Sequence, residues 1–141
     1  MLTAERRELQ ALAREFAEAE LRPKTAEWDE RRELDDEVFG KLADSGFLGM
    51  RVPEAYGGLE FDLATYLVVL EELAWGDAAV ALTVAIHNGP VVALVDRYGT
   101  EEQRERWLPR LASGEALGAF ALSEPEAGSD PSSITSTASR K

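Results

Sequence analysis

Leu9, Leu12, Ala13, Phe16 and Ala17 recur at i, i+3, i+4, i+7 and i+8, the apolar stripe of one amphipathic helix. Thr3 is its expected N-cap, and Pro23 either marks its latest end or begins the next helix. "KTAEWDERRE" predicts a short polar helix carrying Trp28, and "DDEVFGKLADSG" a third, capped by Asp35 or Asp36 and stopped at Gly46. The period then breaks: Pro53 and the Gly57-Gly58 pair mark a connection. Asp62 is expected to cap "LATYLVVLEELAW", with Leu63, Tyr66, Leu67, Leu70 and Leu73 on one face. Asp77 is expected to cap "AAVALTVAIHNGPVVALVDRYG", the most apolar stretch and therefore a core element, kinked or split at Pro90. "TEEQ" at 100–103 is a capping box opening a helix that carries Trp107 and runs to about Pro109 or Leu111. After "SGEA" the pattern changes. "LGAFALS" predicts a buried extended segment, and "SSITSTAS" has no helical period. The reading is an all-α domain of about six helices, orthogonal or up-down, followed by a short extended C-terminal segment.

Composition narrows the function. A chain of 141 residues, 45% hydrophobic and 30% charged, is of a size for one globular domain. It has no cysteine and one histidine, His87, which excludes a disulfide scaffold, a thiolate nucleophile and a cysteine zinc site, and disfavours a histidine metal cluster or a Ser-His-Asp triad. A formal net charge of −12 repels phosphates and argues against nucleic-acid binding. "MLTAERRELQ" has no apolar signal region, and no apolar run is expected to span a membrane. The expectation is a cytoplasmic protein of bacterial type, or a mitochondrial matrix protein if it is a processed eukaryotic form.

Few residues carry chemistry on their own. His87 lies in the apolar stretch with no local acid or nucleophile, as a core or pocket histidine with one hydrogen bond would. Glu71 and Glu72 are adjacent, so on a helix they point about 100° apart and do not form a carboxylate pair. The Gly57-Gly58 pair lacks the spacing of a phosphate-binding loop. "FALSEPEAGSD" at 120–130 is different: Pro125 and Gly128 exclude helix, and Ser123 and Ser129 supply hydroxyls up to about 20 Å apart in extended chain. Such a segment can satisfy its backbone against the edge of a planar heterocycle and follow a long cofactor toward its phosphates.

"VPEAYGGL" at 52–59, "LVVLEELA" at 67–74, "YGTEEQRERWLPRLASGE" at 98–115 and "FALSEPEAGSD" occur in series, and this order closely resembles the N-terminal part of the acyl-CoA dehydrogenase family across essentially the whole chain. The resemblance implies a helical domain over residues 1–117, and over 118–141 a flavin-motif segment leading into a middle β-domain. It implies FAD as cofactor and an acyl-CoA as substrate, dehydrogenated between Cα and Cβ to the trans-2-enoyl thioester. By the same carry-over, Phe120, Leu122 and Ser123 are flavin contacts, and Ser129 lies between the FAD phosphates and the acyl-CoA. Ile86 and His87 lie near the end of the acyl chain. Glu124 and Asp130 are expected to have structural roles. Ser123 stands where many relatives have threonine, and Glu60 where glycine is common.

The resemblance also implies an electron-transferring flavoprotein as redox partner, docking at Leu59, Phe61 and Phe47, with Leu9 nearby. It further implies a homo-oligomer, tetramer or dimer, for the full-length enzyme. The family's catalytic base lies in its C-terminal domain, so no catalytic residue and no metal site is assigned here, and the chain alone is expected to be inactive. Two alternatives stand beside this: a helical protein-interaction module without flavin, and part of a related flavoprotein such as an acyl-CoA oxidase.

Overall fold

The computed structural model describes residues 2–139; Met1 of the expected helical domain and Arg140 and Lys141 of the expected lead-in lie outside the described residues. Helix α1, Ala4–Phe16, starts where the Thr3 hydroxyl accepts from the Arg6 amide at 3.2 Å. It runs on through a π-helical turn, Ala17–Leu21. Helix α2, Thr25–Arg31, buries Trp28 and ends at Arg32, whose φ of 56° is left-handed. Helix α3, Glu37–Asp44, stops at Ser45 and Gly46, the latter at φ 77°, where glycine avoids the Cβ penalty of a left-handed helix end. The expected cap on α3 is absent: neither Asp35 nor Asp36 caps it with its side chain. Asp35 is drawn instead to Arg31 at 2.7 Å and Lys24 at 3.5 Å.

Residues 47–62 make an irregular connection with a single 3₁₀ turn, Glu54–Tyr56. The connection folds back on itself through the amides of Leu59, Glu60 and Phe61, which donate to the carbonyls of Gly49, Val52 and Met50 at 2.9, 3.0 and 2.8 Å. Helix α4, Leu63–Gly76, and helix α5, Ala78–Ile86, both open on aspartate caps, with Asp62 accepting from Thr65 at 2.7 Å and Asp77 from Val80 at 2.9 Å. A π turn, His87–Val91, absorbs Pro90 and joins α5 to helix α6, Val92–Tyr98, as one rod. Proline therefore divides the rod without ending it, because the wider turn spares the hydrogen bond that proline cannot donate. Helix α7, Glu101–Ala112, carries the complete capping box and passes through Pro109. Counted as continuous rods, the described residues hold six helices, and their only β-pairing is an isolated bridge between Glu124 and Ala127.

Two apolar clusters hold the domain. The larger joins α1, α3, α4 and α5 around Leu21, Leu42, Leu48, Met50 and Leu73, all fully buried. The smaller joins α6, α7 and the irregular connection around Val52, Val92 and Leu108. Each fully buried leucine contributes roughly 2 kcal/mol by area removed from water. Glu72 is buried on α4 and accepts from Gln10 on α1 at 2.7 Å.

Three expectations about burial are corrected. Leu12, in the α1 stripe, is 60% exposed, and on α4 Leu63 and Leu67 are 59% and 50% exposed; Tyr66 and Leu73 are buried as expected, but with Val69 and Glu72 beside them. Apolar residues occupy nearly every turn of α4, so its period does not select a side; packing against α1 and α5 does. The α5–α6 rod is only partly core, since Leu82, Leu94 and Tyr98 stand exposed. By length and composition alone, Ala78–Tyr98 is apolar enough to cross a membrane, contrary to the expectation that no run approached that length. The third correction concerns "LGAFALS": it is extended but not buried, and Leu117, Phe120 and Leu122 are each nearly half exposed.

Candidate functional site

The extended segment leaves α7 at Ser113 and meets the α5–α6 rod at Gly118. There the Gly118 amide donates to His87 Nδ1 at 3.1 Å. That nitrogen must be unprotonated, so Nε2 carries the proton and donates to the Leu111 carbonyl at 3.1 Å. Burial pushes the imidazole below its ordinary pKa, against the hydrogen bond to Leu111, which supports a neutral ring. Beyond Gly118, no backbone group of residues 119–123 finds a protein partner among the described residues. Phe120, Leu122 and Ser123 are exposed there.

The second half of the motif is closed on itself. Glu124 and Ala127 exchange backbone hydrogen bonds of 2.8 and 3.1 Å around Pro125 and Glu126, and Ala127 is buried. The Glu124 carboxylate accepts from the Thr135 amide at 2.8 Å and the Ser136 amide at 3.0 Å, stapling the two ends of the loop. Hydrogen bonds from Ser136 and then Thr135 hold that carboxyl down at about 2. Asp130 accepts from the Ser132 hydroxyl and amide at 2.6 and 3.0 Å and from the Ser133 hydroxyl at 3.2 Å, which lowers its pKa. Both acids therefore act as structural acceptors, in line with the sequence reading. Ser129 lies between them, exposed.

The expected ligand contacts differ in surface. Ile86 is half-buried, whereas His87 is 0% exposed with both ring nitrogens engaged. His87 thus offers no surface for an acyl chain, and the expectation of direct contact gives way to a structural clamp. The sequence pointed to one hydrogen bond; the ring makes two. Its neighbour Asn88, missed in the sequence, is 1% exposed: its Nδ2 donates to the Phe47 carbonyl at 2.9 Å and its Oδ1 accepts from the Arg51 amide at 3.0 Å.

Leu9, Phe47, Leu59 and Phe61 line one apolar groove of about 430 Å³, joined by Leu12 and Phe16. Phe16 meets Phe47 edge-on at 5.0 Å between centroids, and Leu59 is 43% exposed. Leu12 was legible as part of the α1 stripe but not as groove lining, because exposure is invisible to periodicity. Glu60, beside the groove, takes φ 47°, the left-handed region that favours glycine, and its carboxylate accepts from the Glu54 amide at 3.0 Å. The departure from glycine thus keeps the turn and adds a hydrogen bond. A larger concavity of about 840 Å³, lined by Arg22, Trp28, Arg32 and Asp77 among others, holds none of the expected site residues.

Residues 3–115 match the family "Acyl-CoA dehydrogenase, N-terminal domain", and the chain belongs to the acyl-CoA dehydrogenase family. It is similar to an acyl-CoA dehydrogenase of Bacillus subtilis, 34% identical over 99% of this chain and 37% of the relative. It is also similar to an acryloyl-CoA reductase (NADH) of Anaerotignum propionicum, 40% identical over 97% of this chain and 34% of the relative. A solved glutaryl-CoA dehydrogenase of Mycobacterium smegmatis in complex with FADH2 superposes with a TM-score of 0.87 at 34% identity, over 94% of this chain and 34% of that one. The chain therefore spans about a third of the length of the relatives it matches.

The residues present fit a flavin. Phe120 and Leu122 offer exposed apolar surface, the backbone of 119–123 offers unpaired donors and acceptors, and Ser123 and Ser129 offer hydroxyls. The two acids that would repel a pyrophosphate are turned onto the chain's own amides.

Proposed function

We propose that this chain is the N-terminal part of an FAD-dependent acyl-CoA dehydrogenase, converting an acyl-CoA thioester to its trans-2-enoyl-CoA. The observation that carries the reading is the open segment 119–123, held at one end by His87 and at the other by the Glu124 staple. Phe120, Leu122 and Ser123 lie along the flavin, and Ser129 lies between the FAD phosphates and the acyl-CoA. Ile86 bounds the acyl chain. FAD supplies the acceptor for the β-hydrogen as hydride; the chain's own residues bind and orient it. The catalytic base is placed outside this chain, which is accordingly inactive alone.

The groove at Leu9, Phe47, Leu59 and Phe61 is proposed to receive an apolar side chain of an electron-transferring flavoprotein, on the strength of its apolar lining and exposed Leu59. The helical domain is assigned to 1–117 and the lead-in to a β-domain to 118–141; the family match ends at residue 115 and α7 at Ala112, in support of that boundary. A homo-oligomeric enzyme in the bacterial cytoplasm, or in a mitochondrial matrix, completes the reading. The same chemistry run in reverse, as enoyl-CoA reduction, is a second reading favoured by the 40% identity to the acryloyl-CoA reductase.

The test is Ser123→Ala in the full-length protein encoded by the parent gene. Weaker flavin binding or a shifted flavin spectrum is expected, and an unchanged affinity and spectrum would remove Ser123 from the site. Reduction of the bound flavin by an acyl-CoA, followed by oxidation by an acceptor flavoprotein, separates dehydrogenation from the reverse reaction.

A further inference from the structure

The π turn at the middle of the α5–α6 rod presents two adjacent, fully enclosed polar side chains that face different loops. His87 accepts from the Gly118 amide at 3.1 Å, where the flavin-facing segment begins, and donates to Leu111 at 3.1 Å, where α7 is about to end. Asn88 donates to the Phe47 carbonyl at 2.9 Å and accepts from the Arg51 amide at 3.0 Å. Arg51 in turn donates through its guanidinium to the Phe61 carbonyl. Phe47 and Phe61 are walls of the apolar groove. Adjacent residues in a regular helix diverge by about 100°, and here that divergence is used to reach two sides at once. The rod also touches the segment by shape: a Cβ on Gly118 would stand 2.7 Å from Val91 Cγ1 in the same π turn. Buried polar groups with every hydrogen bond satisfied rigidify what they join, and a half-satisfied set does not.

We propose that His87 and Asn88 form a two-sided positioning pair, His87 fixing the flavin-facing segment and Asn88 fixing the docking groove, so that one helical turn sets the spacing between the two. The assignment of the two sides rests on the functional reading above; the fixed spacing does not. His87 and Asn88 are enclosed, at 0% and 1% exposure, and act through Gly118 on one side and through Phe47 and Arg51 on the other.

The chain has no cysteine, so spin labels can be placed at will. Labels on Ser45→Cys, at the groove, and Ala121→Cys, in the segment, report the spacing by pulsed electron resonance. One narrow distance distribution is expected for the otherwise unsubstituted chain. His87→Phe keeps a flat ring but neither hydrogen bond. It should at least double the width and speed exchange of the Gly118 amide by about tenfold, the protection given by one hydrogen bond of ordinary net strength. Asn88→Leu should widen the distribution equally while speeding exchange at Arg51 and not at Gly118. His87→Gln, which retains a donor and an acceptor, should recover most of the narrow distribution, a rescue that mere filling of the core would not give. Unchanged widths in both variants, or no rescue by glutamine, would overturn the pair. Should His87→Phe fail to fold, Gly118→Ala tests the same junction from the other side: a shifted or broadened distance is expected, and an unchanged one overturns the proposal. Titration of the full-length apoprotein with FAD, followed at the Leu122 and Ser123 amides, tests the flavin reading separately. Absence of perturbation there would end that reading, while the label distances, measured without flavin, still decide whether the pair sets the spacing.

Discussion

Removing the Glu72 carboxylate should loosen α1 from α4. Glu72 is 4% exposed; one oxygen accepts from Gln10 at 2.7 Å and the other lies 2.5 Å from the Arg14 guanidinium. The second contact is an ion pair whose angle is wrong for a hydrogen bond, since that oxygen has no hydrogen-bond partner. Arg14 is anchored from behind, with its guanidinium 3.8 Å above the Trp75 ring. Substitution Glu72→Ala removes a hydrogen bond to a charged acceptor, about 1.5–3 kcal/mol, and roughly one buried methylene, about 0.8 kcal/mol. Breaking a fully buried ion pair costs more, but the Arg14 side chain is 36% exposed and rehydrates, so that larger penalty is not expected. The sum is about 3 kcal/mol, or a fall of roughly 10 °C in Tm for a chain of this size. Urea unfolding followed by far-UV circular dichroism measures it, and a cycle with Arg14→Ala isolates the pair, for which a coupling of about 1 kcal/mol is expected. A loss below about 1 kcal/mol, or no coupling, would refute the idea that this pair fastens the two helices.

Three further outcomes follow from the geometry. Gly76→Ala places a Cβ 2.8 Å from that of Ala17; overpacking of about 1–3 kcal/mol should outweigh the gain of about 1 kcal/mol in helix propensity, and a variant more stable than the parent would refute the close approach. The Glu124 staple contributes stability because its carboxyl titrates at about 2 in the fold, below the ordinary 4.5. That contribution is present above 4.5 and is lost as the pH falls through about 2, so Thr135 and Ser136 amide exchange should accelerate only in that window; a Glu124 titration midpoint near 4.5 would contradict it. Leu59→Asp in the full-length enzyme should weaken binding of the acceptor flavoprotein at least about tenfold by calorimetry, with Leu63→Asp, outside the groove, as the neutral control; equal affinities would remove the groove from docking.

Much of the fold was legible because its signals are local. Thr3, Asp62, Asp77 and Thr100 cap their helices as their residue types demand, Gly46 follows the end of α3, and Pro53 and the change of pattern after Ala116 fall outside the α-helices. Non-local effects were not legible. Asp35 was a plausible cap, but Arg31 and Lys24 compete for its carboxylate. The expected face of α4 is only partly buried, because Leu63 and Leu67 are as apolar as Leu73 and only the neighbouring helices decide among them. The π turns carry no sequence signal beyond Pro90. Within the site, the motif named Phe120, Leu122, Ser123 and Ser129, and the structure adds that the 119–123 backbone is open. That His87 and Asn88 reach different parts of the fold was invisible, because it depends on the divergence of adjacent side chains in the turn and on partners that lie far away in the chain.

The α5–α6 rod has a consequence for the nascent chain. Residues 78–98 leave the ribosome as a helix-forming stretch hydrophobic enough to be mistaken for a membrane segment. At its centre stand His87, Asn88, Gly89 and Pro90: two polar side chains, and a proline that removes one backbone donor from the helix ladder. In lipid, every one of those groups would have to find a partner that the bilayer does not supply. In the fold, the imidazole and the amide find theirs in the backbone of the surrounding loops. The two side chains proposed to tie the walls together are thus also the ones that a lipid surrounding would leave without partners.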